Sequence, residues 1–499
     1  MKKILAIFLL AALSAGLSGC VFVTLTPVTQ EGDVALPVPA IVAPPAPSGD
    51  SRAESTQRVT LYYVGADRQQ LAPVTRTIRL TGEETLIEKT AQRLLDQALV
   101  PDLAPVAPEE TRLISVEQSQ GIAIVNLSVD ALSMDAQALC WMKAALSSTL
   151  TALDGVEQVG VLIGGREESL LTLPAGMLRA TNDTLTALWA QRLADEERFA
   201  ANPAGARISR EVALYFPTWL DNRLLPECRE VVFSSTDFAG TLIEELKKGP
   251  AAGDQAHAVL PRDARVSVKP EPTTLEDGRR VLMISFDENL YAQMERDSLS
   301  KVQLFSALAY TLCRTVPELD GLVVDVAGQI VTSLEDGLTR VTFENGVITP
   351  EAFTDVVASV ATLYFADADG NLVSVKRAVS PQQATSPRAL LEQLIAGPFV
   401  FDGGALPVFP DGATGADILG LRIEDQAVLV NLSSNLYRLC QQFSDVQERN
   451  FVYAIVNTLT ALDGVDRVRF YVAGQVVETL GQSIYLKGEL LANPGLVKG

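Results

Sequence analysis

One set of sequence landmarks occurs three times along the 499-residue chain. Each copy opens with a leucine, a tyrosine and a second aromatic residue, at Leu61-Tyr62-Tyr63, Leu214-Tyr215-Phe216 and Leu363-Tyr364-Phe365. Each copy ends in an Asp-Gly pair before an apolar run, at Asp154-Gly155, Asp320-Gly321 and Asp463-Gly464. The copies are spaced by about 150 residues, which is too long for a solenoid repeat and suits a complete domain. The sequence therefore predicts three like domains in tandem.

Longer identities strengthen this prediction. The segment from Thr458 to Val465 repeats the segment from Thr149 to Val156 residue for residue. Two shorter repeats are Val125-Asn126-Leu127-Ser128 with Val430-Asn431-Leu432-Ser433, and Ala327-Gly328-Gln329 with Ala473-Gly474-Gln475. Identities of this length at corresponding places are not expected by chance, so we interpret the sequence as a triplication.

Hydrophobic periodicity gives each copy the same order of elements. The first copy shows two strands, a helix that Thr81 is predicted to cap, a hairpin with Gly121 in its turn, a second helix over 138–153 and a closing strand over 159–163. Each helix has one apolar stripe, and each strand needs a covered face, so the fold class is α/β. We expect three tandem two-layer α/β sandwich domains, each ββαββαβ with a mixed sheet and two helices on one face.

The N-terminus has the pattern of an export signal. A basic start is followed by an apolar run over 4–13, which is too short to span a bilayer as a stable helix. Leu17-Ser18-Gly19-Cys20 then resembles the lipobox of bacterial lipoproteins. By that resemblance Cys20 is the lipid-modified first residue of the mature protein, and acyl chains such as palmitate anchor an extracytoplasmic protein to the cell membrane. The alternative is an ordinary signal peptide in which Cys20 is incidental.

Composition and the repeats set the expected boundaries. In chain order they are a lipoprotein signal peptide (1–19), a Pro-rich tether (20–57), a first domain (58–172), a helical connector (173–208), a second domain (209–335), a linker (336–357), a third domain (358–482) and a C-terminal tail (483–499). The connector carries Leu185, Leu188 and Trp189 at helical spacing. It either docks on a neighbouring domain or is a solvated spacer. Docking is favoured, because Trp189 would otherwise lie in water.

Charge and ligand content exclude some partners. The chain has 40 basic and 61 acidic residues and a formal net charge of −21. Such a surface repels phosphate backbones, so nucleic acid is not an expected partner. There is one histidine and no Cys-x-x-Cys pair, so the spacing of a zinc site is absent, and we predict no metal and no cofactor.

The histidine and the cysteines are predicted to be structural. His257 would have to serve any Ser-His or Cys-His pair, yet it lies between Gly253 and Pro261 in a loop that has no counterpart in the other copies. We interpret it as a surface-loop residue. The remaining cysteines, Cys140, Cys228, Cys313 and Cys440, belong to separate copies or elements, and buried free thiols are favoured over disulfides.

The repeated acids also have structural interpretations. Asp154, Asp320 and Asp463 could be catalytic only with a partner carboxylate at a fixed separation, whereas shaping a helix-to-strand turn requires only the adjacent glycine. Asp367 and Asp369 resemble part of a calcium loop that lacks its other ligands, so a hairpin turn is favoured. We predict no catalytic residue.

These residues together resemble the GerMN domain of sporulation and spore-germination lipoproteins. The likeness lies in the Leu-Tyr-Phe opening, the Gly-Pro after the first helix, the Val-Asn-Leu-Ser strand and the Leu-Asp-Gly-Val and Ala-Gly-Gln close, over residues 58–480. The first copy departs from it, with Val100-Pro101 in place of Gly-Pro, and family members usually carry one or two copies. The resemblance implies a membrane-anchored module without established catalytic residues, linked to envelope assemblies of sporulation and to cell-wall binding.

The expected function is therefore a non-catalytic lipoprotein that binds an envelope protein complex or peptidoglycan, related to sporulation or germination. The alternative from another class is a peptidoglycan hydrolase that uses paired carboxylates. A solute-binding lipoprotein fits less well, because such proteins have two lobes around one cleft.

Overall fold

A computed structural model describes residues 43–498 apart from 82–83, 97–102, 169–171, 204, 220–222, 235, 252, 254, 337–338, 354, 401 and 482. Cys20, the predicted signal peptide and most of the predicted tether lie outside the described residues. The chain from Pro45 onward forms one compact body, and every contact described for this protein lies within it.

Three successive units contain the secondary structure. Unit 1 and the segment before it contain β1 (Ser51–Arg52), β2 (Ser55–Gly65), β3 (Leu71–Leu80), α1 (Leu86–Leu95), β4 (Leu103–Ala104), β5 (Leu113–Ser119), β6 (Ile122–Leu127), α2 (Ala136–Leu150), β7 (Gln158–Ile163) and β8 (Arg166–Glu167). Unit 2 and its connector helix contain α3 (Leu185–Ala201), β9 (Ile208–Pro217), β10 (Leu224–Phe233), α4 (Phe238–Lys247), β11 (Val266–Val268), β12 (Thr273–Thr274), β13 (Arg280–Phe286), α5 (Leu290–Arg296), α6 (Lys301–Cys313), β14 (Gly321–Val326), β15 (Gln329–Ile330), β16 (Ser333–Asp336), β17 (Thr339–Thr342) and β18 (Val347–Ile348). Unit 3 contains β19 (Ser359–Ala366), β20 (Leu372–Val379), α7 (Pro381–Ala384), α8 (Pro387–Ala396), β21 (Ile418–Glu424), β22 (Ala427–Leu432), α9 (Ser434–Cys440), α10 (Asp445–Leu459), β23 (Arg467–Val472) and β24 (Leu490–Leu491).

The three units share one strand topology. The first two strands of each unit form an antiparallel hairpin, namely β2–β3, β9–β10 and β19–β20. A mixed sheet follows, and its three shared strands have the order β5-β6-β7, β11-β13-β14 and β21-β22-β23 within sheets of four, six and five strands. In each mixed sheet the first pair of strands is antiparallel and the second pair is parallel. The α/β class and the shared order of elements are therefore confirmed.

The hairpin of each unit is a sheet separate from the mixed sheet, and a threonine explains why. In every unit the hairpin tyrosine donates its amide to a fully buried threonine hydroxyl, in the pairs Tyr62–Thr149 (2.9 Å), Tyr215–Thr311 (3.2 Å) and Tyr364–Thr458 (3.2 Å). These threonines belong to α2, α6 and α10. Because the helix occupies this strand edge, the hairpin does not continue into the mixed sheet. The tyrosine of the opening motif marks that edge.

The repeated Val-Asn-Leu-Ser motif also has a structural role. The side-chain oxygens of Asn126 and Asn431 accept the amides of Gly165 and Gly474, at 2.9 and 3.0 Å. Both glycines have positive φ and lie in the turn directly after the closing strand. The asparagine therefore holds the turn at the end of the mixed sheet in units 1 and 3.

The Asp-Gly landmark is equivalent in only two of the units. Gly155 and Gly464 lie between the second long helix and the closing strand, with φ of 78° and 75°. In unit 2, Gly321 is already the first residue of β14, and Glu318 takes the left-handed conformation, with φ of 54°. The predicted equivalence of Asp320 with the other two aspartates is therefore wrong. The pair in unit 2 falls at the strand start because its helix-to-strand turn is built from other residues.

The predicted connector is a docked helix. Leu185 at the start of α3 is fully buried and packs with Val64 and Trp141 of unit 1. Near the helix end, Phe199 packs with Ile208 and Phe238 of unit 2. The helix thus contacts both units, which is the arrangement that the sequence favours.

Three segments predicted as spacers are folded onto the units. The tether, predicted to run to residue 57, ends earlier, because β1 pairs in parallel with β21 and β2 begins at Ser55. The linker predicted over 336–357 contains β17 and β18, and β18 pairs with β14 of unit 2. In the predicted tail, β24 pairs with β23 of unit 3. These pieces are too short to show a periodicity in sequence.

The second face of each mixed sheet is also apolar and is covered by a different part of the chain. In unit 1, Met177 and Cys228 pack against Ile122, Ile124 and Leu162. In unit 2 the corresponding cluster includes Val281, Val323 and Leu275. In unit 3, Ala46 packs against Ala427, Leu429 and Tyr471. In units 1 and 3 the cover therefore comes from outside the repeat, whereas in unit 2 it includes Leu275 of the same unit.

Candidate functional site

Two of the three repeated aspartates lie close together where units 1 and 3 meet. A Cβ atom placed on Gly155 would lie 3.9 Å from Oδ1 of Asp463. Partial burial raises the pKa of the Asp463 carboxyl, and the nearby Asp154 carboxylate raises it further. Both side chains keep access to solvent. This contact is the one place where repeated carboxylates approach each other among the described residues.

Hydrogen bonds are donated in both directions between unit 3 and unit 1 with the segment before it. On one side, the Ser359 hydroxyl at the start of β19 donates to the carbonyl of Gln118 in β5, at 2.9 Å. On the other, the amide of Ala53, just before β2, donates to the carbonyl of Ile423 in β21, at 2.9 Å. Reciprocal contacts of this kind are typical of two-fold related surfaces. The identical segments containing Asp154 and Asp463 occupy equivalent places in it.

The third aspartate has a different environment. Oδ1 of Asp320 accepts from Nη1 of Arg166 at 2.6 Å, and Oδ2 accepts from the amide of Arg280 at 2.7 Å. Arg166 belongs to β8, so this ion pair joins units 1 and 2. The three aspartates therefore do not form one site.

His257 has the surroundings of a loop residue. Its Nδ1 lies 2.9 Å from the carbonyl oxygen of Ala258, so that nitrogen carries the proton. Its ring packs against Trp219, with the ring centroids 4.8 Å apart. In the described structure, no serine, cysteine or carboxylate is hydrogen-bonded to the imidazole. The geometry gives no support to a nucleophile–base pair.

The four described cysteines are free thiols, with Cys313 and Cys440 buried and the other two half-buried. Burial raises the pKa of Cys440 to about 12. Burial and the neighbouring Glu211 carboxylate raise the pKa of Cys228 to about 12. A thiol with so high a pKa is a poor nucleophile, because the thiolate is the reactive form.

The acidic motif of unit 3 forms the turn between β19 and β20. Oδ1 of Asp367 accepts the amides of Asp369 and Asn371, at 2.9 and 2.8 Å, and Gly370 has a φ of 82°. The Lys498 ammonium lies 3.0 Å from Oδ2 of Asp369. The hairpin-turn prediction is confirmed. Within the described ranges, no group of three or more His, Cys, Asp and Glu side chains is placed to hold a metal ion.

The sequence analysis missed an arginine on the second hairpin strand, which closes the end of the first helix. In unit 3 this residue is Arg377, whose Nη2 donates to the carbonyl of Gly397 at 3.2 Å and to Asp402 at 3.0 Å. Its guanidinium carbon lies 5.6 Å from the ring centroid of Phe365 and 3.9 Å from that of Phe399. The side chain is only 3% exposed. We call this arrangement the arginine clamp.

Unit 2 has the same arginine clamp, but one aromatic ring contacts its arginine in place of two among the described residues. Arg229 donates through Nη2 to the carbonyl of Gly249 at 2.9 Å and through Nε to Glu227 at 3.1 Å. Its guanidinium carbon lies 5.5 Å from the ring centroid of Phe216. The side chain is 20% exposed. Beside it lies an open groove of about 710 Å³, lined by Arg229, Glu230, Val232, Glu245, Lys248, Gly249, Pro250 and Ala251.

In unit 1 a tyrosine makes the equivalent contact. The hydroxyl of Tyr63 donates to the carbonyl of Arg93 in α1, at 3.3 Å. Arg76 stands at the clamp position, because it pairs with Val59, just as Arg229 pairs with Val212 and Arg377 with Ala361. This recurrence is the sequence signal that could have revealed the clamp. The Val100-Pro101 departure lies outside the described residues.

The fold and these contacts define a protein of tandem α/β modules. Its recurring residues contribute to packing, to turns and to helix ends. The family model described as sporulation and spore germination, named Germane, matches residues 60–169 and 362–478. Units 1 and 3 are therefore similar to members of this family over the matched residues. Unit 2 lies outside the matched residues but shares the strand topology and the threonine contact of units 1 and 3.

Comparison with solved structures gives two matches to the sporulation protein GerM of Bacillus subtilis. The tandem GerMN domains are 19% identical, with 59% of this chain and 99% of that chain covered and a TM-score of 0.24. The first GerMN domain alone is 19% identical, with 26% of this chain and 96% of that chain covered and a TM-score of 0.20. Scores this low support no inference about function. No curated protein matches the chain.

Proposed function

We propose that this protein is a membrane-anchored extracytoplasmic lipoprotein whose GerMN-type units bind protein partners or peptidoglycan in envelope assembly, in sporulation or germination. The observation that carries the proposal is the match of units 1 and 3 to the sporulation and spore germination family model. A non-catalytic role is supported by the recurring residues, because the threonine, asparagine and arginine described above are all engaged in structural contacts. The lipobox-like sequence ending in Cys20 supports the anchor.

The anchor can be tested by detergent partitioning. In the described part of the chain, no helix has the length and apolar character needed to cross a membrane. We therefore expect the wild-type protein to enter the detergent phase through its acyl chains and the Cys20→Ser variant to remain in the aqueous phase. Mass spectrometry of the mature N-terminus should show a lipid on Cys20. A wild-type protein that is free of lipid would refute the anchor.

Binding needs a separate experiment. The mature protein would be incubated with purified cell-wall sacculi and sedimented, and a parallel sample would be crosslinked in cells and recovered after solubilisation. We expect either co-sedimentation with sacculi or recovery of a defined envelope protein. Failure of both arms would overturn the interaction proposal while leaving the anchor untouched.

One observation favours a second candidate, a peptidoglycan hydrolase. Asp154 and Asp463 approach each other, and the raised pKa of Asp463 is what a general acid requires. Zymography on peptidoglycan separates the two functions. A clearing zone that is lost in Asp463→Asn, in a variant that is still folded, would favour the hydrolase. A gel without clearing supports the binding module.

A further inference from the structure

The arginine clamps of units 2 and 3 correspond contact by contact. In unit 3, Asp402 accepts both the guanidinium of Arg377 and the amide of Phe399, the latter at 2.6 Å. In unit 2, Glu227 accepts the guanidinium of Arg229 and the amide of Ala251, the latter at 2.7 Å. A carboxylate thus occupies the same position in both clamps, although it comes from different parts of the two units.

The clamps differ in one ring. Phe399 follows Gly397-Pro398 in unit 3, and Ala251 follows Gly249-Pro250 in unit 2. In unit 3 the guanidinium contacts two rings, Phe365 and Phe399. In unit 2, Phe216 is the one ring that contacts Arg229 among the described residues. The greater exposure of Arg229, 20% against 3%, agrees with the missing cover.

The groove of unit 2 lies where this second ring would be. Arg229, Gly249, Pro250 and Ala251 line it, and each is part of the clamp or of the segment that carries Phe399 in unit 3. Its wall includes Val232, which is 50% exposed. Both charge signs border it, since Glu230, Glu245 and Lys248 all line the groove. The guanidinium and the exposed valine favour an aromatic side chain, and the mixed charges do not select an ionic ligand.

We propose that this groove binds an aromatic side chain, phenylalanine or tyrosine, presented by a partner protein. The occupant is argued from the chain itself, because unit 3 fills the corresponding place with its own phenylalanine. The hydrogen bonds of the clamp are already satisfied within unit 2, so the partner has to supply only the ring. This inference concerns a surface of unit 2 and does not depend on the lipid anchor.

The test uses the full mature protein and the probe N-acetyl-4-fluorophenylalanine amide, observed by fluorine NMR line broadening. With the wild-type protein we expect broadening that saturates and is reversed by N-acetylphenylalanine amide but not by N-acetylalanine amide. Ala251→Phe places a ring in the groove from within and should reduce the broadening at least tenfold. Phe399→Ala opens the corresponding place in unit 3 and should add a second saturable site.

Several outcomes would overturn the proposal. They are wild-type broadening that does not saturate, equal broadening with Ala251→Phe, or competition by N-acetylglucosamine in place of the phenylalanine amide. If Ala251→Phe does not fold, as judged by circular dichroism, Val232→Asp replaces it. This variant places a charge on an exposed wall of the groove and should also abolish binding. The sacculus and crosslinking experiments remain an independent test of the proposed function.

Discussion

Replacing Arg377 by methionine should selectively destabilise unit 3. The guanidinium and the Asp402 carboxylate are 3% and 8% exposed and lie 3.0 Å apart. Removing one partner of a buried ion pair leaves an uncompensated charge, which costs about 3–5 kcal/mol. The carbonyl of Gly397 loses a donor as well. Burial lowers the pKa of Arg377, because desolvation disfavours the charged guanidinium. The hydrogen bond and the charge of Asp402 oppose that shift and so stabilise the charged form.

Two variants serve as controls for this prediction. The double variant Arg377→Met with Asp402→Asn removes both charges and should recover much of the loss, since no buried carboxylate remains unpaired. In unit 2 the corresponding pair is 20% and 22% exposed, so Arg229→Met should cost less, about 1–2 kcal/mol.

The assay has to report on unit 3 alone. All three tryptophans, Trp141, Trp189 and Trp219, lie before or within unit 2, so fluorescence does not follow the third unit. Hydrogen–deuterium exchange of peptides from α8 in the full chain measures the local opening free energy directly. Two results would refute the reasoning. One is an opening free energy of α8 that Arg377→Met does not change, and the other is a decrease in α8 no larger than the decrease that Arg229→Met causes in α4.

Three further predictions follow from contacts described above. Thr458→Val should destabilise unit 3 by about 1–3 kcal/mol, because the partly buried amide of Tyr364 loses its acceptor. Thr90→Val should be neutral or stabilising, since that buried hydroxyl has no partner in the described structure. Hydrogen exchange in the strands next to each threonine compares the two variants. Asp463→Asn should raise the thermal midpoint at pH 7 but not near pH 3. The pKa of this carboxyl is higher in the folded protein than its ordinary value of 3.8, so ionisation of Asp463 destabilises the folded protein as the pH rises above 3.8, and asparagine does not ionise. Deleting residues 20–53 should lower the thermal midpoint of unit 3 through loss of β1 on β21, while deleting 20–42 should not; equal midpoints for both deletions would contradict the docking of β1.

Long periodic elements were predictable from sequence, and the short ones were not. The apolar face of α1, with Ile87, Ala91 and Leu94, is buried as its spacing indicates. Its start was misplaced, because Thr85 and not Thr81 is the N-cap that accepts the Glu88 amide. Both threonines precede acidic residues three positions on, so sequence does not separate them. The strands β16 to β18 had no detectable signal, because two to four residues are too few for a period.

The arginine clamp shows a different limit of sequence reasoning. Arg229 lies opposite Val212 in the hairpin, and its long side chain extends to the ring of Phe216 and to the end of α4. None of these distances can be read from one sequence. The groove was even harder to predict from sequence, because it is recognised only by comparing the positions of Ala251 and Phe399 in the two folded units. The aspartates, in contrast, were visible as repeats, but only the structure separates Asp320 from the other two.

The cover that Ala46 and β1 provide for unit 3 joins the start of the described part of the chain to a unit that lies more than 300 residues further on. Because a protein is synthesised from its N-terminus, this segment cannot pair until β21 and β22 have also been made. Closure over almost the whole chain length is an entropically slow event, so we expect the N-terminal segment to dock late in folding. It also means that a shortened descendant without unit 3 would leave β1 without the strand that it pairs with.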